Sequence, residues 1–216
     1  MRIILIPGLG YDCRIFENLD LTSYEFEYLN WIEPKTKETI NDYAQRLFSN
    51  ASKSSKKTIL IGHSLGGIIS QEIASVHPIE KIILISSIKS RKELPLSFKI
   101  IKPLRLDKFF TKEISIKTVN FWGKNHGFET NEEKDLFKSM VGKHSNNYLQ
   151  WALRALSSWQ ESKILSKTET IHIHGANDKT LPYRLVKQPN FTIENGSHIC
   201  VLKRSEEISK LIHNSI

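Results

Sequence analysis

Thr58-Ile59-Leu60-Ile61-Gly62-His63-Ser64-Leu65-Gly66-Gly67 joins an apolar run directly to a G-x-S-x-G pattern. The apolar run is typical of a strand buried on both faces, and the isoleucines that follow predict a helix over about 64–76. The glycines at 62 and 66 permit a sharp turn that leaves a serine hydroxyl exposed at the end of the strand. We therefore predict that Ser64 is a nucleophile; the alternative is a serine that only caps the helix.

The same order of strand, turn and helix extends from this stretch in both directions. Apolar runs at 2–6 and 81–85 predict two more buried strands, and shorter runs at 171–173 and 191–193 predict another two. Alternating strands and helices of this kind predict an α/β fold whose mostly parallel sheet is covered by helices. Further predicted elements are an extended segment at 26–31, a helix with Ile40, Tyr43, Ala44, Leu47 and Phe48 on one face, and a closing helix at 206–212.

A serine nucleophile needs a base that accepts its proton and an acid that orients the base. Asp178 follows the strand at 171–173, and His198 follows the strand at 191–193. Both residues therefore lie at the same predicted sheet edge as Ser64, and the chain order Ser, Asp, His suits this kind of site. Seven other histidines have simpler interpretations. His63 is the variable position of the turn, and the others are strand residues (His172, His174), helix-end residues (His77, His213) or surface residues (His126, His144).

The oxyanion of an acyl-transfer reaction needs two N–H groups aimed at it. The backbone N–H of Leu65, directly after the nucleophile, is the first candidate. The second candidate is the backbone N–H of Leu9, because glycines flank it in the loop after the first strand.

The pieces described above resemble the α/β-hydrolase superfamily, and within it small capped carboxylesterases of the pimeloyl-acyl carrier protein methyl esterase type. The resemblance rests on Pro7-Gly8-Leu9-Gly10, on residues 62–67, on Gly175-Ala176-Asn177-Asp178 and on Gly196-Ser197-His198. It implies an esterase-like triad of Ser64, Asp178 and His198, and it implies no cofactor. The chain starts at a strand that resembles the third of the family's eight, so we expect a minimal sheet without the antiparallel edge.

The rhythm of strands and helices stops between about 88 and 164, where prolines and aromatic residues accumulate and no strong strand is visible. We predict a helical insertion here, and the resemblance implies that it forms a cap over a core made of 1–87 and 165–216. A stripe at Trp151, Ala155 and Trp159 is typical of packing within that cap. The candidates for the walls of an apolar acyl pocket are Phe109, Phe110, Phe121 and Trp122.

Charge and cysteine content restrict the partners. The chain has 31 basic and 23 acidic residues, a net charge of +8, and much of the excess lies at the start of the insertion. Such a surface suits an acidic acyl carrier protein, or an anionic acyl substrate, that docks on the cap, although a solvated basic helix is the simpler explanation. Two cysteines, Cys13 and Cys200, form no metal or disulfide motif, so no metal site is expected. No nucleic-acid motif, signal peptide or membrane-spanning run is visible, which predicts a cytoplasmic protein.

Three hypotheses for function remain open at this point. The first is a serine hydrolase that cleaves a small-molecule carboxylic ester or thioester through an acyl-enzyme on Ser64. The second is a lyase or acyl transferase that uses the same triad and fold. The third is a non-catalytic ligand-binding protein, against which the complete set of triad residues argues.

Overall fold

The computed structural model describes residues 1–162 and 168–216, and these residues form a six-stranded sheet. The strands are β1 (Arg2–Ile6), β2 (Glu25–Tyr28), β3 (Thr58–His63), β4 (Lys81–Ile85), β5 (Glu169–Gly175) and β6 (Phe191–Ile193). They lie in the order β2-β1-β3-β4-β5-β6, and every neighbouring pair is parallel. The predicted α/β class with a parallel sheet is therefore confirmed.

α-Helices connect β2 to β3, β3 to β4 and β4 to β5, as is usual between parallel strands, whereas the β1–β2 and β5–β6 connections contain only short 3₁₀ helices. The α-helices in the described residues are α1 (Ile40–Phe48), α2 (Leu65–Ala74), α3 (Leu96–Lys99), α4 (Lys112–His126), α5 (Asn131–Val141), α6 (Asn146–Ser158), α7 (Cys200–Lys203) and α8 (Ser205–His213). Helix α2 packs against β1, β3 and β4, and α1 packs against α2. Every residue of α2 is buried, and its polar residues Ser70, Gln71 and Glu72 are hydrogen-bonded there.

The register of the strands places several loops at one edge of the sheet. Ile6 is paired with Gly62, and Ile85 is paired with both His63 and Ile173, so β1, β3, β4 and β5 end close together. The strand order reverses direction between β1 and β3. In open parallel sheets the crevice at such a switch point is where ligands bind.

Two glycines allow α2 to start immediately after β3. A Cβ atom on Gly62 would lie 2.4 Å from the backbone nitrogen of Gly67, and one on Gly66 would lie 2.0 Å from the carbonyl oxygen of Ile6. No side chain fits at such distances. The tight turn predicted from the G-x-S-x-G pattern therefore depends on these glycines for steric reasons.

The chain between β4 and β5 contributes α3 to α6 and covers the carboxyl edge of the sheet. Thr111, Thr130 and Ser145 accept hydrogen bonds from backbone N–H groups in the first turns of α4, α5 and α6. The stretch between α3 and α4 is not α-helical: Arg105 has a left-handed backbone (φ 54°), and a short 3₁₀ helix, Leu106–Phe109, follows it.

The predicted boundary between cap and core, at residues 164 and 165, lies outside the described residues. Within 1–162 and 168–216, none of the helices combines the length and the apolar character needed to cross a membrane.

Candidate active site

Ser64 lies at the turn between β3 and α2 with a backbone conformation of φ 52° and ψ −117°. Its amide N–H donates to the carbonyl oxygen of Ile85 (3.0 Å), and its own carbonyl oxygen accepts from Ser87 Oγ (2.7 Å). The Ser64 side chain makes no capping hydrogen bond to α2. The helix-cap interpretation is therefore not supported, and the surrounding backbone holds the hydroxyl away from its own helix.

His198 and Asp178 complete a hydrogen-bonded chain with Ser64. His198 Nε2 lies 3.1 Å from Ser64 Oγ, and His198 Nδ1 lies 2.8 Å from Asp178 Oδ2. Because a carboxylate only accepts, Nδ1 carries the proton and Nε2 has a free lone pair for the serine hydroxyl. The other Asp178 oxygen, Oδ1, accepts from the N–H groups of Thr180 and Leu181, both at 2.9 Å.

Asp178 stays ionised in this setting. Burial alone would raise the pKa of this carboxyl, but His198, His174 and the hydrogen bonds it accepts outweigh burial and lower the pKa below the usual value. A buried, ionised and doubly anchored carboxylate is suited to orient an imidazole and to stabilise it once it is protonated.

A pair of buried histidines supports the Asp178 loop. His174 Nε2–H donates to the carbonyl oxygen of Leu181 (2.8 Å) and lies 3.4 Å from Asp178 Oδ2. His174 Nδ1 then accepts from His172 Nε2–H at 3.2 Å. These contacts tie the loop that holds Asp178 to strand β5.

The two proposed oxyanion donors lie on either side of the switch point. Leu65 is the first residue of α2, so its N–H has no acceptor within the helix. Trp31 Nε1–H donates to the carbonyl oxygens of Gly8 and Tyr11, which anchors the loop that carries Leu9. Within the described parts of the chain, neither the Leu9 nor the Leu65 N–H has a hydrogen-bond acceptor.

Gly8 brings this loop into direct contact with Ser64. A Cβ atom at Gly8 would lie 3.1 Å from Ser64 Cβ and 2.8 Å from His63 Nδ1. The close approach places the backbone of the Leu9 loop beside Ser64.

An apolar cavity of about 310 Å³ opens in front of Ser64 and lies between the sheet edge and α3 to α6. Phe110 and Trp122 line it, as predicted from the aromatic residues. Phe109 and Phe121 do not: 68% and 86% of their respective surfaces are exposed to solvent. The prediction for these two residues is wrong because neighbours along a helix or turn point in different directions, so only one of each adjacent aromatic pair faces the cavity.

His126 is a cavity residue that the sequence interpretation assigned to the surface. Its ring lies edge-on to that of His198, with 5.6 Å between ring centroids, and its Nδ1 has no hydrogen-bond partner. Burial lowers the pKa of His126 to about 3, so the ring is neutral. Helical spacing could have indicated that His126 faces the cavity, because cavity-lining residues recur at steps of three, four and four along α4: Ser115, Thr118, Trp122 and His126.

The structure also defines the surroundings of two further histidines, His63 and His144. His63, the variable position of the turn, is fully buried and donates from Nε2 to the carbonyl oxygen of His198 (2.9 Å). His144 is partly buried rather than on the surface, and its Nε2 lies 3.2 Å from the carbonyl oxygen of Tyr11. In the described ranges, no cluster of three or more His, Cys, Asp or Glu residues is arranged to hold a metal ion.

Comparisons with known proteins support the fold. No protein-family model and no curated protein sequence matches the chain. An esterase from Exiguobacterium antarcticum superposes with a TM-score of 0.76 at 14% sequence identity, covering 100% of this chain and 91% of that one. A lipase-esterase related protein from Clostridium acetobutylicum gives a TM-score of 0.71 at 16% identity, covering 100% of this chain and 94% of that one.

An epoxide hydrolase from Bacillus megaterium gives a TM-score of 0.70 at 11% identity, covering 99% of this chain and 92% of that one. The chain therefore has the α/β-hydrolase fold, and the resemblance seen in the sequence is confirmed at the level of the fold. Because esterases and an epoxide hydrolase share this fold, the reaction has to be inferred from the site itself.

Proposed function

We propose that the protein is a serine hydrolase that cleaves carboxylic esters or thioesters through an acyl-enzyme on Ser64. The observation that carries this proposal is the hydrogen-bonded chain from Ser64 Oγ through His198 to Asp178, which opens onto an apolar cavity. The hydrolases and esterases with the same fold support it.

The first half of the reaction forms the acyl-enzyme. His198 Nε2 accepts the proton from Ser64 Oγ as the oxygen attacks the carbonyl carbon of the ester. The negative charge that develops on the carbonyl oxygen is stabilised by the N–H groups of Leu9 and Leu65. The tetrahedral intermediate then collapses, and the leaving alcohol or thiol takes the proton from His198.

The second half releases the acid. A water molecule gives a proton to His198 Nε2 and attacks the acyl carbonyl, and the new tetrahedral intermediate expels Ser64 Oγ, which recovers its proton. Asp178 remains ionised throughout and stabilises the protonated imidazole in both halves.

The cavity favours a small or medium-sized apolar acyl group, since its volume lies at the lower end of ligand pockets. Phe110 and Trp122 are proposed to contact that group. We further propose that the helices between β4 and β5 act as the cap of this site, because α4 supplies much of the cavity wall and α3, α5 and α6 each contribute to it.

The test uses a fluorophosphonate probe and intact-mass measurement, because the probe reports an activated serine without knowledge of the substrate. Wild type should gain one adduct and Ser64→Ala none, while Ser75→Ala, at the far end of α2, should label like wild type. Turnover of p-nitrophenyl esters of increasing acyl length then measures the fit of the cavity. A folded wild type that neither labels nor turns over any ester would contradict the proposal.

Product analysis separates hydrolysis from the alternatives that the sequence left open. With water as the only acceptor, a hydrolase releases free acid in amounts equal to the ester consumed. An acyl transferase would instead require an added alcohol or thiol, and a lyase would release a product that contains a new double bond.

A further inference from the structure

Large apolar side chains are exposed on the segment that covers the cavity. Seven of the eleven exposed large hydrophobic residues in the described ranges lie between 96 and 121, and Leu96 and Phe121 have 73% and 86% of their surface exposed. Contiguous exposed apolar surface usually marks an interaction site. We call this region the apolar-basic face; its apolar members are Leu96, Ile100, Leu104, Leu106, Phe109 and Phe121, together with Ile114.

Five exposed basic residues are interspersed with these apolar side chains, and none of the five forms an ion pair with any residue in 1–162 or 168–216. They are Lys102, Arg105, Lys108, Lys117 and Lys124.

Acidic side chains of the same segment offset little of this charge, because two of them are buried and only Glu113 is exposed. Asp107 is buried and paired with Arg154 (2.8 Å), and Glu93 is buried and accepts from two backbone N–H groups. Glu113 accepts a hydrogen bond from Asn146 (3.0 Å). The surface therefore presents positive charge and apolar side chains together.

The apolar-basic face borders the cavity that contains Ser64. Ile114 belongs to both, since it lines the cavity and is also exposed. In the two adjacent aromatic pairs, Phe110 and Trp122 line the cavity while Phe109 and Phe121 face outward. A substrate that enters from this side consequently has a short apolar route to the nucleophile.

We propose that the apolar-basic face docks on an anionic phospholipid surface, and that the enzyme takes acyl esters dissolved in that surface as substrates. Anionic headgroups would meet the lysines and Arg105, while Phe109, Phe121 and Leu96 enter the boundary between headgroups and acyl chains. The substrate part of this proposal rests on the proposed hydrolase function. The docking part does not, because it depends on residues outside the triad.

Charge and shape together favour a lipid surface over an acidic protein. A folded acidic partner offers carboxylates to the lysines, but it would also need a rigid apolar patch whose shape matches the protruding Leu, Ile and Phe side chains. A bilayer is deformable and supplies both an anionic layer and hydrocarbon within a short depth. Both kinds of exposed residue are then matched by one partner.

Vesicle co-sedimentation tests the docking. The Ser64→Ala protein is mixed with vesicles of phosphatidylcholine, or of phosphatidylcholine and phosphatidylglycerol in equal amounts, so that no lipid is consumed. Binding to the anionic vesicles is expected, with weaker binding as salt rises from about 0.1 to about 0.5 M. Adding Phe109→Ser and Phe121→Ser is expected to lower the partition coefficient at least about tenfold.

The matched control is Val76→Ser, which removes another exposed apolar side chain, one that follows α2 at the opposite edge of the sheet. It should bind vesicles normally. With Ser64 intact, the Phe109→Ser/Phe121→Ser protein should hydrolyse a water-soluble short-chain ester at the wild-type rate but cleave an ester embedded in anionic vesicles more slowly.

Three results would overturn the docking proposal. These are no binding to anionic vesicles, equal binding of the double variant and wild type, or a lipid-free dimer that the double variant abolishes. Vesicle binding without any ester hydrolysis would leave the docking in place and contradict only the proposed function, so the two failures are distinguishable.

Discussion

Replacing Asp178 with Asn tests how the triad is held, because the structure dictates which way the new amide must face. Asp178 Oδ1 accepts from two backbone N–H groups, those of Thr180 and Leu181. In the Asp178→Asn variant the amide oxygen has to occupy this position, since the NH₂ group would otherwise face two donors. The NH₂ group therefore points at His198 Nδ1.

His198 then has to accept at Nδ1 and carry its proton on Nε2. In this tautomer the imidazole presents an N–H to Ser64 Oγ and has no lone pair with which to accept the serine proton. The mismatch is expected to lower kcat by about 10⁴, which corresponds to about 5.4 kcal/mol of transition-state stabilisation. Stability should change little, because both backbone hydrogen bonds of the loop are kept.

The assay is kcat/KM for the best p-nitrophenyl ester, with the melting temperature measured on the same sample. Asp107→Asn is the control, since it also removes a buried carboxylate, one that pairs with Arg154 far from His198 in the hydrogen-bond network. That variant should keep most of its activity. An Asp178→Asn protein with a wild-type melting temperature and more than a tenth of the wild-type kcat/KM would refute the tautomer argument.

Three further predictions concern packing, pH and the cavity. Gly66→Ala should destabilise the protein by about 3 kcal/mol or more, because its Cβ would lie 2.0 Å from the Ile6 carbonyl oxygen. The control is Gly142→Ala, at an exposed helix end, and similar denaturation midpoints for the two variants would contradict the prediction. Burial and the neighbouring histidine lower the pKa of His172 to about 3, well below the unfolded value of about 6.5, so the unfolded chain binds more protons between these values. The free energy of unfolding should fall as pH drops from about 6.5 towards 3, by up to about 1.4 kcal/mol per pH unit for each such histidine. In urea titrations at pH 7 and pH 5, His172→Phe should lose less stability than wild type, and an equal loss would count against this assignment. His126→Phe removes an unpartnered ring nitrogen from the cavity wall and should lower KM for a hexanoyl ester about fivefold with kcat unchanged. A raised KM would instead show that this nitrogen contacts the substrate.

Much of the candidate site was predictable because it depends on local rules. The turn at Ser64 requires glycines at fixed positions, and parallel strands end at a common edge, so residues that follow β3, β5 and β6 have to lie near one another. These rules were sufficient to propose that Ser64, Asp178 and His198 act together before any distance was known.

The cavity wall was only half predictable. Composition indicated aromatic residues in the segment between β4 and β5, but the direction of each side chain depends on where a helix begins and how it rotates. Arg105 has a left-handed backbone between α3 and α4, and α4 turns Trp122 and His126 inward while Phe121 faces solvent. A shift of one residue changes the direction of a helical side chain by about 100°, which pattern analysis without helix boundaries does not resolve.

The order of apolar runs and glycines along the chain was enough to predict the α/β architecture, the turn at Ser64 and the proximity of Asp178 and His198 to it. Each of these depends on neighbours in sequence or on the shared edge of a parallel sheet. Only the tertiary structure decided that His126 faces His198, that His172 and His174 support the Asp178 loop, and that Phe109 and Phe121 lie on the outer surface. These contacts join residues whose relative orientation is set by the packing of helices on one another, and no local pattern encodes that orientation.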